Sequence, residues 1–564
     1  MKPLIYLLSA LYLGGEQNRF VDVSLQAGLT FPTFCGSGDK KRYLTETLGT
    51  GLALIDYDND GLVDLFVMTA QAVEARSTAT DPVNHLYRNL GNGKFKDVSE
   101  AAGISRSGWG QGVCSGDFDN DGFEDLFLTY YGHNILYRNT GKGNFEDVTE
   151  SAGLGGGPAR WGTGCAFVDY NLDGKLDLFV ANYVEFDQAN TPTPDKPNAC
   201  RWKNQAVPCG PKGLRGGVNL LWKNDSKPGQ PRFTNVTSES GVGSPGERYS
   251  LSVTTIDFDQ DGWPDIYVAV DSQASLLFRN NHDGTFSETA IAAGVAFNDS
   301  GSEQAGMGTA AGDFDGDGKL DLAKTNFIDD LPNLYRNSGD GSFEEVTVVS
   351  GLGLHREFMG WGVAFMDFDN DTWPDLFLVN GHIYPQLKSV KYAQRRILYR
   401  NLGNGKFKEV TSGMGGDLLA EKSSRGLAVG DYDNDGDVDL FITNMNEPPS
   451  LLRNDSSANE NRFLNIKLIG TKSNRSGIGA RVTVVSGARK MVQEVRSGSS
   501  FLSQHDLRLH FGLASSRRVD RIEIDWPGSS KEVISGIETN QFITITQSLG
   551  ITGARSVPRK TTAP

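Results

Sequence analysis

Four carboxylates, Asp56, Asp58, Asp60 and Asp64, fall within the nine residues DYDNDGLVD. Two unit charges about 4 Å apart repel by roughly 4 kcal/mol at an effective dielectric of 20, so this loop is expected to fold around a cation. The spacing suits a hard one: oxygens from positions 1, 3 and 5, a backbone carbonyl at 7 and a closing carboxylate make a coordination sphere of the kind calcium takes. Gly61, at position 6, permits the sharp turn. The alternative is an exposed hairpin turn rich in Asp, Asn and Gly that holds no ion.

The same template returns at 117–125, 169–177, 257–265, 313–321, 367–375 and 431–439. The other candidate ligands are therefore Asp117, Asp119, Asp121 and Asp125; Asp169, Asn171, Asp173 and Asp177; Asp257, Asp259, Asp261 and Asp265; Asp313, Asp315, Asp317 and Asp321; Asp367, Asp369, Asp371 and Asp375; and Asp431, Asp433, Asp435 and Asp439. A repeat this regular predicts up to seven structural Ca2+ ions. Two loops depart from it. Asn171 offers a neutral amide oxygen, which predicts weaker binding at the third site. Thr372 replaces the position-6 glycine, and a β-branched residue resists positive φ, so the sixth loop is expected to be distorted or empty.

The elements that must hold these loops are strands. GVAFM precedes the sixth loop and LFLVN follows it, and short apolar runs on both sides of a tight turn read as a hairpin rather than a helical setting. A second phrase recurs downstream, as in LYRNLGNGKFKDVSEAAGI (86–104) and LYRNTGKGNFEDVTESAGL (136–154), and it is again a hairpin around a Gly/Asn turn. Each unit thus offers four strands. Seven such units predict an all-β, seven-bladed β-propeller with calcium-binding hairpin loops. After the seventh loop, LLRND lacks its FxxVT strand, and the missing phrase appears at the other end as RFVDVSLQAGL (19–29). An N-terminal strand that completes the last blade would close the ring and remove two sheet edges.

The formal net charge is −16. Seven bound Ca2+ would leave about −2, so the loops account for most of the acidity. With no basic cluster, nucleic acid is not an expected partner. The opening MKPLIYLLSALYLGG reads as a signal peptide over 1–15, with a short membrane anchor as the alternative, and no later stretch is long enough to span a bilayer. The expectation is a monomer, secreted or at the cell surface or in the periplasm. In that setting Cys200 and Cys209, which share a Pro-rich insertion in the third repeat, are expected to form a local disulfide. Cys114 and Cys165 lie three and four residues before their loops; the offset of one flips the face, so they read as buried strand residues and not as a pair. Cys35 is unassigned.

From Asn461 the phrases change. Short alternating strands over 461–548 suggest a separate small β-sandwich-like domain after a propeller over 16–457, with a disordered tail at 549–564. GIGARV, SGSSFLSQHDLRLHFGL and RIEIDWPG resemble the ASPIC/UnbV domain, and ETLGTGLALIDYDNDG with NGHIYP resembles FG-GAP/VCBS repeats, in the combination seen in bacterial members of the cartilage acidic protein family. The resemblance implies a secreted calcium-binding propeller, similar to integrin α-subunit heads. The expected function is an extracellular, non-enzymatic binding or adhesion module for a glycan or protein. Its candidate surface is the insertion 183–218 with Trp202, and the loop 381–396 with His382, Tyr384, Arg395 and Arg396, although such residues also serve to seal loops. The alternative is a polysaccharide-acting lyase or hydrolase on the calcium-loaded propeller. None of the seven histidines sits in a recognisable catalytic pattern. A purely structural cell-surface role is the third reading.

Overall fold

The computed structural model describes residues 19–71, 82–456, 461–529 and 531–557. The signal peptide expected over 1–15 lies outside the described residues. Seven four-stranded antiparallel blades form the larger part of the molecule. Blade 1 runs Leu52–Ile55, Asp64–Val67, His85–Asn89 and Phe95–Asp97, and blades 2 to 6 repeat this order. In each blade the acidic loop joins the first two strands, so its last aspartate opens the second strand. The LYRN phrase is the third strand and the FxxV phrase begins the fourth. Alternating apolar residues on both faces of every blade pack against the neighbouring blades, because a propeller sheet is covered on both sides.

Blade 7 takes three strands from 424–454 and its fourth from the N-terminal Phe20–Asp22, which pairs antiparallel with Phe20 opposite Asn454 and Asp22 opposite Leu452. The ring is thus closed as the sequence predicts. The third repeat is long because of an insertion between its second and third strands, which contains the hairpin Cys200–Trp202 with Gln205–Val207. The expected Cys200–Cys209 disulfide is present there.

Cys114 and Cys165 also form a disulfide, contrary to the sequence reading. The one-residue offset does place them on opposite faces of their own sheets. They lie, however, on the inner strands Gly110–Gly116 and Arg160–Val168 of neighbouring blades, and opposite faces of adjacent blades look at each other. Their Cα atoms are 5.8 Å apart.

The C-terminal domain is a sandwich of two four-stranded sheets. One orders Leu509–Ala514, Arg462–Ile469, Gln541–Thr546 and Gly550–Ser556; the other orders Arg489–Glu494, Arg481–Ser486, Arg518–Asp525 and Glu532–Glu538. Leu464, Ile466, Val482, Val484, Ile522 and Ile543 fill the space between them. The tail expected to be disordered from 549 instead contributes the strand Gly550–Ser556, with Ser556 opposite Gln541. That strand is largely exposed on an edge, so it carries none of the apolar alternation that marks a strand in sequence. Residues 558–564 lie outside the described residues. Among the described residues no helix is long and apolar enough to cross a membrane.

The sandwich is not separate from the propeller. It sits on the face that carries the acidic loops, and its segment 497–505 enters the central channel. There Ser500 exchanges both backbone hydrogen bonds with Thr309 of blade 5, Leu502 accepts from Val113 of blade 2, and Gln504 accepts from Leu54 of blade 1. Phe501, fully buried, meets Trp361 of blade 6 edge to face at 4.7 Å.

Candidate metal centres

All seven acidic loops adopt one local design. In the second loop the two oxygens of Asp117 accept from the backbone N–H of Asp121 (3.0 Å) and Gly122 (2.7 Å), and Asp121 Oδ1 accepts from Phe123 N–H at 3.0 Å, so the loop curls around its own carboxylates. Asp125 Oδ2 accepts from Phe118 N–H (3.0 Å) while its Oδ1 accepts from Asn139 N–H (2.7 Å), which fastens the loop to the third strand. The carboxylate at position 3 is different. Asp119 Oδ2 meets Arg138 at 2.6 Å, but its Oδ1 is buried without a partner. Asp58, Asp259 and Asp369, at the same position in the first, fourth and sixth loops, likewise bury an unpartnered Oδ1.

One carboxylate oxygen each from positions 1, 3 and 9 lies within 4.8 Å of the others in the first, second, fourth and fifth loops, and positions 1, 3 and 5 do the same in the sixth. Several clusters could therefore hold a metal ion. Burial pushes the position-1 carboxyls up to about 7 in Asp117, Asp169, Asp257 and Asp313, and pushes Asp64 at position 9 up to about 9. A buried acceptor with no donor, beside carboxylates whose charge is opposed by desolvation, is the environment a cation would relieve. The donor set is all oxygen, which selects hard cations.

The third loop carries an amide at position 3. The Asn171 amide donates to Asp173 Oδ2 (3.1 Å) and accepts from Asp173 N–H (3.2 Å), so its polar atoms are already engaged within the loop. The sixth loop, expected to be distorted, is not. Thr372 takes φ of +85°, matching +82° at Gly61 and +87° at Gly262, and its N–H donates to Asp367 at 2.7 Å. The strain is overcome from outside: Arg489 of the sandwich donates to Thr372 O (3.0 Å) and Oγ1 (3.2 Å) and lies 3.5 Å over the Trp373 ring.

The structure adds residues with a role that sequence reasoning missed. The asparagine ending every LYRN-type phrase donates through Nδ2 to the position-2 carbonyl of the preceding blade's loop. Asn89 reaches Tyr432, Asn139 Tyr57, Asn224 Phe118, Asn280 Tyr170, Asn337 Phe258, Asn401 Phe314 and Asn454 Phe368, all at 2.7–2.8 Å. The position-2 aromatic then packs on the FxxV phenylalanine of the next blade, with centroids 5.7–6.2 Å apart; Phe368 meets Phe20 of the N-terminal strand in this way. The recurrence of Asn in all seven phrases is the signal that could have revealed the ring of bonds.

The candidate ligand surface fares differently. His382, Tyr384 and Arg396 are buried, so they present nothing to a partner. His382 and Tyr384 pack against Trp202 at 5.3 and 6.3 Å, and Arg396 donates to Asp417 O and Ser450 Oγ. These side chains seal the loops that carry them. Trp202 and Arg395 are partly exposed; Arg395 pairs with Glu409 at 2.5 Å and lies over Phe358.

Comparison with known proteins agrees with this architecture. The FG-GAP-like repeat model matches residues 56–128, 117–180, 257–323, 328–378 and 390–442, just over half of the chain, and the ASPIC and UnbV model matches 470–551. Cartilage acidic protein 1 of Mus musculus is 24% identical over 504 residues, covering 85% of this chain and 70% of that protein. The Homo sapiens protein is 26% identical over 393 residues, covering 68% of this chain and 53% of the relative. Among solved structures, an Agrocybe aegerita lectin that recognises non-reducing terminal N-acetylglucosamine aligns over 72% of this chain and 95% of its own at 14% identity and a TM-score of 0.38.

Proposed function

Since the chain belongs to the FG-GAP-like repeat family and carries a C-terminal ASPIC and UnbV domain, we propose that it is an extracellular calcium-loaded propeller that binds a glycan or protein partner. The observation that carries the calcium part is the buried, unpartnered Oδ1 of Asp58, Asp119, Asp259 and Asp369, each at the position-3 ligand of its loop. Positions 1, 3, 5 and 9 would hold the ion, with the carbonyl at position 7. Neutralisation of buried carboxylates is what the ion would supply, which makes its role structural. At a tenfold excess over its dissociation constant each site adds about 1.4 kcal/mol, and a millimolar extracellular supply is enough for weak sites. Two disulfides favour an oxidising compartment.

The sandwich occupies the acidic-loop face, so a partner is left the opposite face and the outer edges. The disulfide-stapled insertion projects there, with Trp202 partly exposed and Lys203 paired to Asp329 at 2.7 Å. Glycan-array binding of the full chain, with and without chelator, tests the reading. Calcium-dependent retention without cleavage is expected. Cleavage of a retained polysaccharide would assign an enzyme instead, and elemental analysis that finds no calcium would remove the metal from the proposal.

A further inference from the structure

The fourth acidic loop lacks a bond that the other six have. In four loops the position-6 carbonyl accepts from the side-chain amide of the position-4 asparagine of the preceding loop in the ring: Gly61 from Asn434 (3.2 Å), Gly122 from Asn59 (2.9 Å), Gly174 from Asn120 (3.0 Å) and Gly436 from Asn370 (3.0 Å). Where the preceding loop has no asparagine, an arginine of the sandwich takes its place: Arg481 donates to Gly318 O, and Arg489 to Thr372 O at 3.0 Å. Gly262 O, in the fourth loop, has no donor among the described residues, and Gly262 is exposed. The loop before it carries Leu172 at position 4, and the sandwich meets Leu172 with Gly528 instead of an arginine.

Blade 6 shows what fits such a place. The fourth and sixth loops alone end in Trp-Pro-Asp, with Trp263 and Trp373 at position 7. On the sixth, Arg489 bonds the position-6 carbonyl and lies 3.5 Å over the Trp373 ring. On the fourth, Trp263 is partly exposed and stacks on His282 at 4.9 Å, and no other ring or cation among the described residues lies against it. Gly403, the counterpart of His282, also abuts Trp373, so His282 does not stand where Arg489 does. A cleft of about 560 Å3 opens here between the third and fourth loops and the sandwich, with Leu172, Gly262 and Trp263 in its wall. Its size falls within the range of about 300–1,000 Å3 usual for ligand sites.

Charge does not by itself choose the occupant. Six carboxylates line the cleft against two cations, but Asp169, Asp257 and Asp261 belong to the acidic loops, Glu494 pairs with Arg496, Glu523 with Arg521 and Asp525 with Lys531. The second cation, Arg481, is engaged by Gly318 O and Gln260. The choice comes from a bare carbonyl beside an uncovered aromatic face, because a planar guanidinium donates in its plane while it stacks on a ring. Arg489 does both with Asp313, Asp367 and Asp371 nearby. We propose that this cleft is a docking site for an arginine side chain presented by a partner protein, with the guanidinium donating to Gly262 O and lying over Trp263. The volume exceeds that of one arginine side chain, which leaves room for the flanking residues of a polypeptide. The proposal depends neither on calcium nor on what the opposite face of the propeller binds, and either can fail without the other.

The test uses the full chain with the peptide Ac-Gly-Ser-Arg-Ser-Gly-NH2, its lysine and citrulline counterparts, and free argininamide. Isothermal titration in calcium and in chelator is followed by crystal soaking. The arginine peptide is expected to bind at least fivefold more tightly than the lysine and citrulline peptides, with density for its guanidinium over Trp263. Leu172→Asn places at position 4 the residue that serves four of the other loops, so it is expected to occupy Gly262 O and weaken binding at least tenfold while leaving the melt unchanged or higher. Trp263→Ala is expected to weaken binding by a similar factor and serves should Leu172→Asn fail to fold. No binding of the arginine peptide at millimolar concentration, equal binding of the three peptides, tighter binding of argininamide than of the peptide, density elsewhere, or residues 558–564 of this chain lying in the cleft would overturn the assignment.

Discussion

Without a cation the protein is expected to become more stable on mild acidification, the reverse of ordinary acid denaturation. Burial holds Asp117, Asp169, Asp257 and Asp313 at about 7 against an ordinary value of 3.8. With folded values above unfolded ones, the folded chain carries more protons between about pH 4 and 7, so its stability rises as pH falls through that window. From about pH 7.5 to about 5.5 each of these carboxyls returns on the order of 2 kcal/mol. Three buried histidines oppose this. Burial lowers His382 to about 4 and His505 and His510 to about 3, so the unfolded chain protonates first and stability falls below pH 6.5. Over the same interval each histidine costs about 1.4 kcal/mol, so the four carboxyls outweigh them, and Asp64, held at about 9, adds to the gain. Calcium inverts the sign: an ion keeps its ligands ionised, acid competes it off, and stability falls. Melting by scanning calorimetry at both pH values, in chelator and in millimolar calcium, gives the two slopes. Slopes of the same sign, or curves that chelator leaves unmoved, would refute the reasoning.

Asn280→Ala removes the bond to Tyr170 O (2.8 Å) that ties blade 4 to the third loop and the bond to Pro264 O (3.2 Å) within blade 4's own loop, and is expected to cost about 1–3 kcal/mol in urea unfolding. Asn281→Ala, one residue on and exposed, serves as the near-neutral control. Phe501→Ala empties the channel beside Trp361 and is expected to cost about 3–5 kcal/mol. A change in tryptophan emission should accompany that loss, and unchanged emission with an unchanged melt would mean that segment 497–505 does not fill the channel.

Much of the architecture was legible because it is written seven times. The acidic template, the LYRN and FxxV phrases and the displaced RFVDVSLQAGL fixed blade number, strand order and ring closure through local pattern alone. What stayed hidden depends on how separate repeats face one another. The Cys114–Cys165 pair follows from adjacency of blades, and an argument confined to one hairpin reads its offset backwards. Thr372 breaks a local rule that Arg489, 117 residues away, repairs. His382 and Arg396 carry polar side chains in a loop, and only the packing of the insertion shows them enclosed. The strand Gly550–Ser556 has no core face, so its sequence carries no periodicity to detect.

Segment 497–505 leaves no room for a side chain at Gly51, whereas at the equivalent inner-strand positions Gly112, Gly164 and Gly308 it is the inner strand of the next blade that comes too close. A Cβ on Gly51 would lie 1.6 Å from the Leu502 carbonyl oxygen, and one on Gly362 or Gly426 would press on Ser500 or Ser503. At Gly51 and Gly426 the inner strands therefore sit directly against the segment from the C-terminal domain. The same domain reaches the acidic loops: Lys467 Nζ lies 3.3 Å from Asp56, Ser476 Oγ accepts from Asp117 N–H at 2.9 Å, and Arg508 donates to Asp431 O at 2.9 Å. Loop geometry and domain docking consequently stabilise each other, since a loop that loses its curl also loses the backbone groups on which the sandwich rests. Removal of the proposed ions should then loosen the docked domain before it unfolds the blades, because the blades keep their interblade asparagine bonds and aromatic contacts when the loop carboxylates lack a counter-charge. Limited proteolysis in chelator checks the order: early cleavage within the C-terminal domain with the blades intact is the expected pattern, and simultaneous loss of both parts would show that docking and blade stability are not separable.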